Sequence, residues 1–335
     1  MFVSQINVQN FKGIKKCEKP LELADFTVLI GRNNSGKSSI LEALSLLPLP
    51  LHSLPYYDGN SVDLLERLHG GKSSVLYAYS GSALIEYLVQ GRTWKIDLRE
   101  QGETYLFIKG YKGITVREQP VRCAAVALGM KPRPKQGLWR RINSKVFFIP
   151  NDTTFLDVLA NNLIQERNQN LVVKMGVHVR ITRELINKCV DDKYTEILFT
   201  PRLSARKELM DGNVIYVKIK DLGDGIEKAA LIGLWLETLN PSLVLWDDFE
   251  GSAHPSLIKV LLTWLSKKKW QVILSSHSID VLNALLDVRP RNTKVIQLKK
   301  TGKDLLLHED VDLEELETLI EANQDPRKLV DLLKL

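Results

Sequence analysis

The sequence predicts an α/β protein with a mostly parallel core sheet, an antiparallel β-meander lobe and a small inserted helical lobe. Three observations carry this. The runs 26–30, 242–247 and 271–275 are short and largely apolar, and each leads into a helix-like stretch, as parallel strands covered on both faces do. Between residues 75 and 117, short runs of alternating polarity are separated by Gly81, Gly91, Gly102, Gly110 and Gly113, the spacing of an antiparallel meander. The stretch Gly31-Arg-Asn-Asn-Ser-Gly-Lys-Ser-Ser39 fits G-x-x-x-x-G-K-[ST], a loop that cradles phosphate between a strand and a helix.

Taken in order, residues 2–10 place Phe2, Ile6 and Val8 among polar residues and read as an edge strand. Residues 11–14 turn towards a second run at 21–23. Phe26–Ile30 is a buried strand, and 39–47 is apolar at helical spacing up to Pro48, with the helix starting at Gly36 or Lys37. Residues 48–74, rich in Pro, Gly and Tyr, read as a surface excursion with a short helix at 62–68. Strands are expected at 75–79, 83–89, 93–98, 104–109 and 114–117. Residues 120–141 are basic and irregular, with Lys131, Arg133, Lys135, Arg140 and Arg141, a segment for solvent or nucleic acid.

The strand 146–149 ends at Pro150. Helices are expected at 155–168 and 177–190, a strand at 196–199, a basic polar stretch at 202–210 and a strand at 213–219. No heptad pattern persists, so any helical arm is short. A helix at 226–239 ends at Pro241. The strand 242–247 ends in Asp247-Asp248, and Pro255 suits the first turn of the next helix. A strand leads to His277. A helix at 279–286, strands at 294–298 and 305–308, and helices at 312–322 and 327–335 complete the chain. The expected units are 1–150, 151–212 and 213–335.

Composition bounds the partners. The 335 residues are enough for one large domain or two smaller ones, and 44% hydrophobic with 26% charged residues is ordinary for a soluble globular protein. A net charge of +6 and pI near 9.0 lean mildly towards acidic partners: ATP, nucleic acid or an acidic protein. Cys17, Cys123 and Cys189 lie far apart and form no metal or redox pair, which fits inert thiols in a reducing compartment. No signal peptide opens the chain, and the run 40–54 is broken by Glu42, Pro48 and Pro50. The expectation is a cytoplasmic protein without a membrane partner.

The chemistry follows from the charge on a triphosphate. Gly31 and Gly36 let the loop curl so that the N–H groups of Asn33, Asn34, Ser35, Gly36, Lys37, Ser38 and Ser39 face inward. Lys37 would meet the β- and γ-phosphates and Ser38 would ligate Mg²⁺. Asp247, at a neighbouring strand end, is placed to hold the metal and its water shell. Asp248 is the candidate to orient a water in line with the γ-phosphate, with Glu250 as a second candidate. His277 could touch the γ-phosphate. All fall at carboxyl ends of strands, where open α/β sheets bind ligands.

The ordered set Gly31–Ser39, Leu222-Gly-Asp-Gly225, Leu243-Val-Leu-Trp-Asp-Asp-Phe-Glu250 with His254-Pro255, and Ser275-Ser-His-Ser278 resembles the ABC-class ATPases of the RecF/SMC/OLD type, most of all the compact OLD-like AAA ATPases. The opening Asn10-Phe-Lys-Gly-Ile14 is similar too. The resemblance implies an ABC-ATPase-like head that binds ATP and Mg²⁺ between two copies facing each other. The loop, Asp247, Asp248 and His277 of one copy would meet Gly223, Asp224 and Gly225 of the other. Two departures stand out. The usual Asp-Glu pair is Asp247-Asp248 here, so turnover is expected to be slow. The Q-loop glutamine is absent after 146–149, where Asn151 or Asp152 takes its place.

Three functions follow from the resemblance. The first is an ATPase that dimerises on ATP and acts on DNA in repair, maintenance or defence. The second is a slow nucleotide-gated switch that assembles a partner protein. OLD proteins often carry a TOPRIM nuclease; the chain ends too soon for one, so a nuclease is expected as a separate polypeptide. The third, a transporter ATPase subunit, is disfavoured by the missing glutamine and the long meander. A GTPase is disfavoured by the lack of Asn-Lys-x-Asp.

Overall fold

A computed structural model describes residues 1–100, 103–108, 120–130, 138–199 and 202–327. The chain opens with β1 (Val3–Phe11), β2 (Ile14–Cys17), β3 (Leu21–Glu22) and β4 (Phe26–Ile30), then α1 (Lys37–Ser45) and α2 (Ser61–His69). The meander is β5 (Ser82–Val89), β6 (Arg92–Arg99) and β7 (Thr104–Ile108); α3 (Pro120–Ala127), α4 (Leu138–Asn143) and β8 (Val146–Ile149) follow. Next come α5 (Thr153–Leu163), α6 (Glu166–Lys174), α7 (Val177–Ile181), a π-helical turn at Thr182–Ile186 and α8 (Asn187–Cys189). Three further strands are β9 (Glu196–Leu198), β10 (Ser204–Glu208) and β11 (Val214–Lys218). The remainder is α9 (Asp224–Leu239), β12 (Leu243–Trp246), α10 (Pro255–Ser266), β13 (Gln271–Ser275), α11 (Ile279–Val288), β14 (Thr293–Lys300), β15 (Leu305–Val311) and α12 (Leu313–Glu321).

Among the described residues, twelve strands form one sheet in the order β7-β6-β5-β1-β2-β15-β14-β4-β13-β12-β8, with β3 against β1. Strands β8, β12, β13, β4 and β14 run parallel, while the β1–β5–β6–β7 side is antiparallel. Every residue of β4, β8, β12 and β13 is buried, which is why these runs lack polar alternation. Each fully buried Leu, Ile or Phe there contributes about 1.5–3 kcal/mol, so the centre is a stiff platform for whatever leaves its ends. The register pairs Trp246 with Leu274 and Leu274 with Val28. The chain therefore exits β12, β13 and β4 side by side, with α1 lying against β8, β12 and β13. No helix among the described residues is long and apolar enough to cross a membrane.

Several local expectations are corrected. β1 is not an edge strand: β5 pairs it on one side, β2 and β3 on the other. The partner β5 is distant in sequence, so its cover does not show locally. Residues 48–74 are not a surface excursion. Leu49, Leu54, Tyr56, Leu64 and Leu65 are buried, and Tyr56 stacks 4.2 Å from Phe147 while accepting the Phe148 N–H. α2 does form, fixed by a capping box of Asn60 and Asp63.

The expected strand 75–79 is replaced by 3₁₀ turns at Lys72–Val75 and Tyr77–Tyr79, with Ala78 and Tyr79 left-handed, which no strand permits. Within 120–141, α3 buries Cys123, Ala124 and Ala125; Lys131, Arg133 and Lys135 lie outside the described residues, as do 114–117 and 328–335. The helix expected at 155–168 breaks into α5 and α6, and 202–210 contains β10, whose Ala205 is buried between Ser204 and Arg206. Strands β9, β10 and β11 form a separate antiparallel sheet. Burial pushes the Cys17 and Cys189 thiols up to about 11.

Candidate functional site

The loop between β4 and α1 is a tight curl. Gly31 has φ +147°, and a Cβ there would lie 2.4 Å from the Leu298 carbonyl of β14, so only glycine fits. Gly36, at φ +100°, starts α1 without a side-chain cap, leaving first-turn N–H groups for a ligand. Asn33 and Asn34 are exposed, with Asn34 left-handed at φ +61°, and Ser35 Oγ is buried without a hydrogen-bond partner. Lys37, 5% exposed, donates to the carbonyls of Gly31 and Arg32 at 2.9 Å each. Burial lowers its ammonium to about 8, although Asp247, Glu250 and Asp248 pull the other way. Lys12 of the β1–β2 turn pairs with Glu42 of α1, and His69 Nε2 lies 3.0 Å from the same carboxylate, pinning that turn to the loop's helix.

The carboxylates converge on this loop from β12. Ser38 Oγ lies 3.1 Å from Asp247 Oδ1, joining residues 209 apart in sequence. Asp247 is 8% exposed, and its N–H is held by the Ile149 carbonyl of β8 at 2.9 Å. Burial lifts its carboxyl above the usual range, opposed by hydrogen bonds from Ser275 and Ser38. Asp248 sits left-handed at φ +50°, and its N–H donates to Ser275 Oγ at 2.8 Å. This conformation suits Asp better than most side chains and aims residue 248 away from the strand direction.

Glu250 and His277 are joined: Glu250 Oε1 accepts the His277 N–H at 2.5 Å, while Oε2 is buried without a partner. The His277 ring is exposed. Partial desolvation first, and then the Lys37 ammonium, hold it below the usual imidazole range against the pull of Glu250, Asp248 and Asp247. Loop, carboxylates and histidine thus stand at one end of the sheet.

The turn Leu222–Gly225 stands apart. Gly223, φ +103°, has open space where a Cβ would be, and Asp224 is exposed in the first turn of α9. Gly225 is needed within its own chain, because a Cβ there would lie 2.5 Å from the Ser252 carbonyl. Of the two Q-loop candidates, Asn151 is exposed, and Asp152 caps α5 through Thr154 while pairing with Arg67 of α2 at 3.2 Å.

The sequence reading missed Lys228. It is an inward lysine of α9 whose Nζ donates to Gly251 O at 3.2 Å and lies 5.7 Å from the Trp246 ring centroid. Burial lowers its ammonium, with Asp248, Glu250 and Asp247 opposing. Lys228 is the sole cation in the run 226–239, and that was the available signal. Ser275 stands within the motif Ser275–Ser278, but its partners are set by strand pairing and lie outside local sequence.

Residues 1–58 match the family described as AAA ATPase domain, and residues 124–283 match that described as AAA domain, putative AbiEii toxin, Type IV TA system. An uncharacterized protein of Methanocaldococcus jannaschii, MJECL11, is 26% identical over 92 residues, 25% of this chain and 81% of that protein. Among solved structures, the Pyrococcus furiosus Smc head domain with an extended coiled coil, bound to the C-terminal domain of ScpA, superposes with a TM-score of 0.60 at 10% identity, covering 96% of this chain and 99% of that one. The SMC head domain from Thermotoga maritima gives 0.55 at 16% identity, covering 93% and 100%. The fold is that of an SMC head. The two domain matches together with this fold are consistent with an ABC-class P-loop ATPase of the RecF/SMC type, and the AAA matches support ATP binding and ATPase activity in general.

Proposed function

We propose that the chain binds Mg·ATP in the loop around Lys37, is sealed over it by a second copy of itself, and uses the cycle of closure and hydrolysis to act on DNA in repair, maintenance or defence. The observation that carries this reading is the Ser38–Asp247 contact, which brings together the hydroxyl and the buried carboxylate that would hold Mg²⁺, beside the buried Lys37 ammonium.

The residues present fit the ligand. A curl only glycine can make, the unpartnered Ser35 hydroxyl and the uncapped start of α1 suit an anion. A carboxyl raised by burial, as Asp247 is, favours a cation beside it. Ser38 and Asp247 would hold Mg²⁺, which when bound would offset charge on the phosphate oxygens. Lys37 would leave its two carbonyls for the phosphates. Asp248 would orient the attacking water, with Glu250 as the alternative, and His277 would donate to the γ-phosphate. Gly223, Asp224 and Gly225 would face the nucleotide of the other copy. The exposed Asp224 carboxylate would stand against like charge there, which favours a seal that reopens easily.

DNA is supported by net charge alone. A concavity of about 940 Å³ at the amino ends of the parallel strands gathers Lys145, Lys267, Lys268, Lys269, Arg289 and Arg291. Several of these stand where α10 and α11 end, and cations there complement the helix dipoles without any ligand. Mobility shifts with duplex and single strands, with and without ATP, test this part. ATP-dependent retention of either supports it, and no retention removes DNA while leaving the ATPase.

A second reading is a slow switch that assembles a partner, such as a separately encoded nuclease. Asp248 favours it, since its carboxylate is one methylene shorter than a glutamate and a misplacement of about 1 Å can cost about 10²-fold in rate. Brisk wild-type turnover in a steady-state ATPase assay would remove it.

A further inference from the structure

The backbone of His277 is held on both sides of its Cα. Its N–H donates to Glu250 Oε1 at 2.5 Å, and its carbonyl accepts from Arg327 Nη1 at 2.7 Å. Arg327 lies beyond α12, 50 residues after His277. It is itself oriented, because Asp325 accepts from Nε at 2.8 Å, from Nη2 at 2.7 Å and from the Arg327 N–H at 3.0 Å. The intervening Pro326 is tied down as well. Gln297, 2% exposed on β14, donates its side-chain amide to the Pro326 carbonyl at 2.5 Å. Gln297 in turn pairs with Ile30, the residue before the phosphate loop. Residues 325–327 therefore bridge the strand beside that loop and the backbone of the histidine.

We propose that Arg327 is a positioning residue for ATP hydrolysis: its guanidinium fixes the His277 carbonyl, so that the imidazole is presented at one place and Asp325–Arg327 becomes part of the site's support. This rests on the reading of His277 as a phosphate contact. With the peptide before His277 held through its N–H and the peptide after it held through its C=O, the residue has little freedom in φ and ψ. With the carbonyl released, the ring position loosens, and a shift of about 1 Å is enough to cost up to about 10²-fold in rate. The bland alternative is a partly buried Arg–Asp pair with negligible effect on anything.

The test compares the full-length chain with Arg327→Ala, Arg327→Lys and Asp325→Ala in steady-state Mg·ATP hydrolysis, and follows amide exchange of the segment 276–280 by mass spectrometry without nucleotide. For Arg327→Ala we expect kcat to fall about tenfold or more with KM changed by less than about twofold, since ground-state binding stays with the phosphate loop. Arg327→Lys, which keeps one charged donor, recovers much of the loss, and Asp325→Ala falls between. Exchange at 276–280 becomes about tenfold faster in Arg327→Ala. A kcat within about twofold of wild type, or unchanged exchange, overturns the proposal. If wild type itself does not hydrolyse ATP, the ATPase reading fails, and the exchange measurement alone decides whether Arg327 fixes the loop. Should Arg327→Ala not fold, Arg327→Lys against Arg327→Gln gives the same comparison.

Discussion

Ser275 Oγ lies 2.5 Å from Asp247 Oδ1, and the same oxygen receives the Asp248 N–H at 2.8 Å. One hydroxyl on β13 thus orients both carboxylates that leave β12. Ser275→Ala strips a donor from buried Asp247 and leaves the Asp248 N–H unpaired, a cost of about 1–3 kcal/mol. The expected outcome is a Tm lower by several degrees and ATP turnover reduced about tenfold or more, read by thermal melts and steady-state assay. Unchanged turnover would separate this hydroxyl from the chemistry.

Lys37 is expected to show the opposite pairing of effects. Burial lowers it to about 8 from the ordinary value of 10.5. Between those values the folded chain binds fewer protons than the unfolded one, so stability rises with pH across that window. Below it the full cost of the buried charge stands, on the order of 3 kcal/mol. Lys37→Met should abolish ATP binding, raise the Tm of the nucleotide-free protein at pH 7, and flatten the rise in stability between pH 8 and 10.5. In the wild type, an arriving triphosphate raises the lysine again, so binding near pH 8 takes up protons. Calorimetry in buffers of different ionisation enthalpy reads that uptake directly.

Asp248 combines a charge with a left-handed backbone, φ +50°. Asparagine adopts that conformation at lower cost than alanine, so Asp248→Asn should melt close to wild type while Asp248→Ala loses about 1 kcal/mol. Hydrolysis should fall about 10²-fold in either. Asp248→Glu tests reach. If the shorter carboxylate limits the rate, turnover rises; if Glu250 is the water-orienting group, it does not.

The chemistry-bearing loops were legible because each is local: Gly31, Gly36 and Lys37 carry their spacing within nine residues, and the strands before Asp247 and His277 are largely apolar. What failed was non-local. The partner of β1 on its open side is β5, and nothing in residues 2–10 announces it. The Pro- and Tyr-rich stretch after α1 looked solvated because its composition is that of a loop, yet Leu49 and Tyr56 are core side chains. Ala78 and Tyr79 turned a strand-like run into a 3₁₀ turn. At the site, Ser275, Lys228 and Arg327 gain their partners only when distant segments meet, and their residue types alone are unremarkable.

The central claim is that a triphosphate held at Lys37 is closed over by a second copy. The most direct test is light scattering on Asp248→Asn, slow to hydrolyse by design, with and without Mg·ATP. The chain has a mass of 38.0 kDa. The account predicts this mass without nucleotide and twice this mass with it, and a Lys37→Met version that stays at the single mass in both. A monomer at saturating Mg·ATP, or a dimer that forms regardless of nucleotide and of Lys37, would contradict it.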